Sequence, residues 1–152
     1  MYADNTPDHL AASRERWLGK LVEDGPSPAG NWLGLTLVDA EPGEITLSLY
    51  LKKDMTNPYG NIHGGMMALI MDEAIGWSVV SLGAPTHYTT MNLVVDFLYA
   101  AAEGETLTAK SKVIRQGKKV VHAVCDVFDS KGTLLAKGSS NLIVTGMQPK
   151  AG

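Results

Sequence analysis

The chain has a single cysteine, Cys125. No disulfide can close within it, which excludes a disulfide scaffold and fits a reducing compartment. Cys125 stands in an alternating apolar stretch and reads as a buried, reduced thiol. Neither sign of charge dominates: 13 Lys and Arg stand against 16 Asp and Glu, a formal net charge of −3 at pH 7. Without a basic stripe there is no footprint for nucleic acid. Long apolar runs are missing too. The longest, Met66 to Val80, is interrupted by Asp72, Glu73 and Ser78. It is also shorter than the about 20 apolar residues that span a bilayer. The N-terminus carries Asp4, Asp8, Arg14 and Glu15 and lacks the apolar core of a signal peptide, so a cytoplasmic protein is expected. His9, His63, His87 and His122 show no paired ligand spacing, and no metal is expected. Internal repeats and low-complexity tracts are absent.

What is there is one domain's worth of chain, 152 residues with 45% apolar, enough to bury a core. Residues 6–24 read as a first helix, with Thr6 as N-cap, Pro7 at the first helical position, and an apolar stripe through Leu10, Trp17, Leu18 and Leu21. The run Gly25-Pro26-Ser27-Pro28-Ala29-Gly30 breaks it as a linker. Leu33 to Val38 is a short strand, and Glu41-Pro42-Gly43-Glu44 a turn. Ile45, Leu47, Leu49 and Leu51 then alternate with Thr46, Ser48, Tyr50 and Lys52, the period of a half-buried strand. These two strands predict an antiparallel hairpin. A polar, turn-rich segment, Lys52 to Ile62, leads to His63-Gly64-Gly65 and a helix to Val80 that is apolar on nearly every face and must be surrounded by protein. Four strand signals follow in sequence, His87 to Leu98, Thr106 to Arg115, Val120 to Phe128 and Leu134 to Val144. Their short connections predict an antiparallel meander. The pattern gives an α+β fold in which a long antiparallel sheet of five to six strands curls around one central helix.

The chemistry concentrates between Asn57 and Asp72. Two glycines at the mouth of a helix let another molecule approach the backbone closely. The first N–H groups of a helix lack internal acceptors and form a ready site for a developing oxyanion. Asp72 lies further along the same helix, which is otherwise dressed for burial, and a buried acid is costly without a partner or a function. Glu73 is turned from it by about 100° and meets different surroundings. Asp72 stands about 12 Å along the axis from Gly64, at about 1.5 Å per residue. One straight helix therefore cannot bring both to the same atom. A second, antiparallel copy could, which argues for a dimer with two composite sites. Met66, Met67 and Met71 read as core, with side chains that also suit an apolar pocket.

The stretch Asn57-Pro58-Tyr59-Gly60-Asn61-Ile62-His63-Gly64-Gly65, followed by Asp72, resembles the signature of hotdog-fold acyl-CoA thioesterases. It is most similar to the PaaI-like branch, named for the phenylacetate-degradation thioesterase. The similarity runs from about Trp32 to Val144 and includes Thr90-Met91-Asn92-Leu93, the Arg115-Gln116-Gly117-Lys118 turn and Ala136-Lys137-Gly138. It implies a hotdog domain at 31–147, preceded by an N-terminal helix and linker at 1–30 and followed by a tail at 148–152. It implies that Asp72 is the general base or the nucleophile. Asn57 of a partner copy would hold the attacking water or help position the thioester. The Gly64 N–H, beside His63, would polarise the carbonyl, and Thr90 would assist the acid. CoA, as part of the substrate rather than a cofactor, would lie in a groove between subunits, its phosphates near Arg115, Lys118 and Lys119, with Ser139 and Ser140 as weaker candidates. Self-association as a homodimer, commonly paired into a homotetramer, is implied, with no nucleic acid or membrane partner. Trp77 and the loop Gly83-Ala84-Pro85-Thr86-His87-Tyr88 would help line the acyl end. Two alternatives compete. One is a hydratase or dehydratase on the same fold, whose usual motif is not found. The other is a non-catalytic acyl-CoA-binding module, against which the presence of Asp72 counts.

Overall fold

The computed structural model describes residues 8–84, 86–147 and 150. The first helix, α1 (His9–Trp17), is shorter than the predicted 6–24. Asp8 caps it, its side chain accepting from the Ala11 N–H; Thr6 and Pro7 lie outside the described residues. The reason for its early end is on the neighbouring strand. Gly19 takes a left-handed φ of 75°, and residues 18–22 run along β1 (Leu35–Glu41) instead. Gly19 N–H donates to Leu37 O at 2.8 Å and Val22 N–H to Leu35 O at 2.8 Å. Leu18 and Leu21, which look like a helical stripe, thus belong to a segment that satisfies a strand edge.

The predicted linker at 25–30 is also corrected. Its second half opens α2 (Pro28–Leu33), with Ser27 as N-cap and Pro28 in the first turn, where a proline's missing N–H costs nothing. Gly34, at φ 74°, ends it, which moves the start of β1 to Leu35.

β1 and β2 (Glu44–Tyr50) form the predicted hairpin. Ile45, Leu47 and Leu49 point inward and are buried, each such burial being worth about 1.5–3 kcal/mol. A short 3-10 helix, Lys53–Met55, follows. The central helix α3 (Gly64–Val80) then crosses the sheet. The remaining strands are β3 (His87–Phe97), β4 (Thr106–Gln116), β5 (Val120–Phe128) and β6 (Leu134–Thr145).

These four strands are not the predicted meander. The six-stranded sheet has the order β1-β2-β4-β5-β6-β3. Only β4, β5 and β6 follow one another as neighbours. β3 lies on the far edge beside β6, and β4 pairs with β2. Residues 98–105 make the crossing, longer than the 2–5 residues of common hairpin loops. Leu51 N–H donates to Glu105 O and Gly104 N–H to Leu51 O, which docks the end of that crossing beside β2.

The sheet wraps α3 as expected, β2 through β6 all touching it. Met67, Ile70, Met71, Ala74, Ile75, Ser78 and Val79 face the sheet and are buried. Two hydroxyls in this interface are satisfied, Ser111 by Ala74 O at 2.7 Å and Ser78 by Ile75 O at 2.8 Å. The opposite face of α3, with Asp72, Glu73, Gly76 and Trp77, meets α1, α2 and the start of β3. That face carries the candidate site.

Candidate active site

Asp72 sits half-buried in the middle of α3. The Thr90 hydroxyl, on β3, donates to Asp72 Oδ1 at 2.8 Å. Thr90 and Asp72 are distant in sequence, and the crossing of β3 over α3 brings them together. Glu73 has different surroundings, as its position on the helix implies. Ser27 Oγ, at the start of α2, donates to its Oε1 at 2.5 Å. Burial pushes the Glu73 carboxyl above its ordinary value. The Ser27 hydrogen bond opposes this, and the neighbouring Asp72 charge adds to it. The packing there is close: a side chain on Gly30 would overlap the Glu73 carboxyl.

At the start of α3, His63 is the N-cap, its Nδ1 accepting from the Gly65 N–H at 2.9 Å. That bond fixes the tautomer with Nε2 as the donor. The Gly64 N–H has no acceptor among the described residues. Phe97, from the end of β3, stands over Gly64, so that a Cβ there would come within 3.3 Å of its ring. Asn57 shapes the preceding loop. Its Oδ1 accepts from Tyr59 N–H at 2.9 Å and Asn61 N–H at 3.2 Å, which holds the loop tight while Gly60 turns at φ 78°. One chain therefore groups Asn57, His63 and Gly64 at one end of α3. It groups Asp72 and Thr90 about 12 Å along the helix.

Beside Asp72 opens a cavity of about 540 Å³, a size that suits a small organic ligand. Its walls come mainly from three elements, together with Pro26, Ser27, Ile45 of β2 and Leu142 of β6. α3 contributes Asp72, Glu73, Gly76, Trp77 and Val80; β3 contributes Tyr88, Thr89 and Thr90; α1 contributes Leu10, Ser13 and Trp17 among others. Trp17 packs edge-on against Trp77, ring centres 5.5 Å apart, and its indole N–H donates to Asp24 at 3.0 Å. Trp77 and Tyr88, two of the residues that the resemblance placed at an acyl end, line this cavity. Gly83, Ala84, Thr86 and His87 are not among its described lining residues, and Pro85 lies outside them.

Arg115, Lys118 and Lys119 are exposed at the β4–β5 turn. None of the three is in an ion pair among the described residues, whereas Lys112 pairs with Glu44 at 2.9 Å. Lys119 O accepts from Val144 N–H, and Val144 is paired with Tyr88. The basic turn therefore lies at the end of the sheet where β3 begins, about 10 Å across two strand spacings from it. Ser139 is half-buried. Ser140 is buried, its hydroxyl engaged with Asn92 O at 2.8 Å. Its side chain is thus used inside the sheet rather than offered at the surface with the basic turn.

Sequence reasoning missed the part played by α1, Ser27 and Gly76. For Gly76 a signal existed, a glycine inside an otherwise strong helix. For Ser27 and the α1 residues no local signal existed, because their neighbours are set by the packing of distant segments. No cluster of three or more metal-binding side chains occurs among the described residues. No described helix is long and apolar enough to cross a membrane.

Comparison with known proteins gives the same picture. The Thioesterase superfamily family model matches residues 59–136. Human acyl-coenzyme A thioesterase 13 is 29% identical over 107 residues, 68% of this chain and 75% of that protein. The Escherichia coli PaaI protein of the phenylacetic acid degradation operon has a similar structure. Its TM-score is 0.74 at 21% identity, over 79% of this chain and 86% of that one. A hypothetical thioesterase of Streptococcus pneumoniae, solved with coenzyme A, has a TM-score of 0.71 at 24% identity, over 75% and 88% of the two chains. The six-stranded sheet wrapped on α3 is the hotdog fold, and the match across its central helix and strands establishes that the chain belongs to the Thioesterase superfamily of thioester hydrolases.

Proposed function

We propose that the chain hydrolyses acyl-CoA thioesters to free acid and CoA, at a site completed by two copies of itself. Asp72 of one copy supplies the attack on the thioester carbonyl, by deprotonating a water or directly as nucleophile. The Gly64 N–H of the other copy receives the carbonyl oxygen as it becomes negative, where a preorganised donor acts most strongly. His63 keeps that helix end in shape through its cap. Asn57, with its Oδ1 committed to the loop, has its amide N–H₂ left to orient water or thioester. As the tetrahedral adduct collapses, the C–S bond pair leaves with sulfur, and CoA departs as the thiolate or, after protonation, the thiol; if Asp72 attacked directly, water then cleaves the mixed anhydride left on it, releasing the acid and restoring the carboxylate.

The observation that carries this reading is the Thr90–Asp72 hydrogen bond on the wall of an apolar cavity. An acid held by a hydroxyl beside a pocket is placed for chemistry. The edge strand β3 supports pairing with a second copy. Among the described residues its outer N–H and C=O groups have no strand beyond them, and Met91, Val94 and Phe97 are 55%, 57% and 60% exposed. The unpaired Arg115, Lys118 and Lys119 suit the phosphates of CoA. The relatives named as acyl-CoA thioesterases, and the pneumococcal neighbour solved with coenzyme A, point the same way.

The test is thiol release from a panel of acyl-CoAs with short, long and aryl acyl groups. Turnover of at least one is expected. Tight binding with no thiol released from any of them would mark a non-catalytic acyl-CoA-binding module instead.

A further inference from the structure

Gly76 has no backbone reason to be glycine. It lies inside α3 and is not among the described glycines at positive φ. Nor does close packing require it, because a Cβ built there would meet nothing within 4 Å. Most glycines answer to one of those two needs. In a helix interior, glycine is the least favourable residue after proline, so its presence weakens α3. The direction in which its side chain would point is the cavity, since Gly76 lies on the cavity wall. Asp72, Gly76 and Val80 follow one another at i, i+4 and i+8 along that wall, one face of α3 running about 12 Å. Trp77, Trp17 and Tyr88 supply flat apolar surface around it.

We propose that Gly76 determines which acyl groups the site accepts: its missing side chain is the space in which a bulky, apolar acyl group lies, one turn of α3 beyond the carbonyl held at Asp72. This rests on the acyl-CoA reading above. The group it favours is larger than acetyl and apolar in its first several carbons. Helix α1 closes the far side of that space without being part of the core, since it buries no residue of its own.

The experiment uses the full chain, Gly76→Ala and Gly76→Leu. Thioether analogues of acetyl-, benzoyl- and decanoyl-CoA, which cannot be hydrolysed, are titrated by calorimetry, and the matching thioesters are assayed for thiol release. Gly76→Ala is expected to raise the melting midpoint by about 2–4 °C, which shows that the fold is intact. Gly76→Leu is expected to weaken binding of the benzoyl and decanoyl analogues at least about tenfold, the scale of small steric changes in an apolar pocket. Acetyl binding should stay within about twofold. In kcat/KM the same ordering should appear. The benzoyl and decanoyl arms separate flat from extended acyl groups. Equal weakening of all three analogues, or of none, overturns the assignment. Absence of turnover from wild type would sink the hydrolase reading alone, because the binding ratios still report on Gly76.

Discussion

The Thr90 hydroxyl and the Asp72 carboxylate are joined across the packing of β3 on α3 by a 2.8 Å hydrogen bond. That single contact engages Oδ1 and is the basis for testing Asp72 as the acid of the proposed reaction. Asp72→Asn keeps the size and removes the base. Turnover should fall at least about a hundredfold, the lower range of what a positioned acid–base group supplies. Thr90→Ala should cost less, about tenfold to a hundredfold, the worth of a hydrogen bond to a charged group. Near wild-type turnover in Asp72→Asn, with Glu73→Gln inactive, would overturn this and assign the reaction to Glu73. Single turnover in ¹⁸O-water distinguishes the two modes of attack, since label enters Asp72 itself only if it is the nucleophile.

The separation of Gly64 and Asp72 along one helix predicts sharing between copies. Asn57→Ala and Asp72→Asn, each inactive alone, should regain activity when unfolded together and refolded. A mixed dimer holds one site with both defects and one with neither. An active monomer, seen by ultracentrifugation at assay dilution, contradicts the shared site.

Lys118→Ala with Lys119→Ala should raise KM for acyl-CoA several-fold and leave kcat nearly unchanged, the pattern of lost uniform binding. The effect should shrink with added salt, because exposed charges are screened. It should vanish for a truncated thioester that lacks the nucleotide. Since Lys112 is paired with Glu44, Lys112→Ala should change KM less than the double variant does. An unchanged KM at low salt would put the nucleotide elsewhere.

Glu73 predicts a pH dependence of stability. Burial, partly offset by the Ser27 hydrogen bond and reinforced by the Asp72 charge, raises its carboxyl above the ordinary 4.5. Folding therefore favours the protonated form. Its favourable contribution is fully present below the unfolded value and is lost as pH rises through the folded one. Glu73→Gln, fixed in the neutral form, should lose less stability than wild type as pH rises above the ordinary carboxylate range. Urea midpoints measured at a series of pH values check this, and parallel curves for the two proteins would contradict it.

Cys125 is fully buried, at 0% exposure, and burial, with the nearby Asp126 charge, pushes its thiol up to about 12. Thiolate is the reactive form. In the folded protein Cys125 should react with a disulfide reagent at pH 8 far more slowly than after denaturation. Equal rates in both states would mean that this part of the sheet opens readily.

The hairpin of β1 and β2, the central helix and the strand segments were legible because local period and turn residues specify them. The place of Asp72 on the central helix was legible as well, and the structure sets it beside Thr90 on the cavity wall. The β3 position was not, because adjacency in the chain says nothing about which sheet edge a strand reaches once a long crossing intervenes. The early end of α1 was hidden for a related reason. Leu18 and Leu21 satisfy a helical stripe and a strand edge equally well, and only the presence of β1 decides. The Ser27–Glu73 pair and the wall formed by α1 arise between segments that share no pattern.

The segment at residues 18–22 has a bearing on assembly. It pairs with Leu35 and Leu37 of β1, and Arg14 reaches Ala40 O at 2.5 Å and Glu41 at 3.0 Å beyond them. One rim of the sheet is thereby occupied from within the chain, and β3 is left as the other. A sheet with two free rims can add copies without limit; a sheet with one can only meet its own likeness and stop. The β1 rim is thus closed by a few residues that look, in the sequence, like the end of a helix, and any pairing through the β3 rim proposed above would stop at two copies.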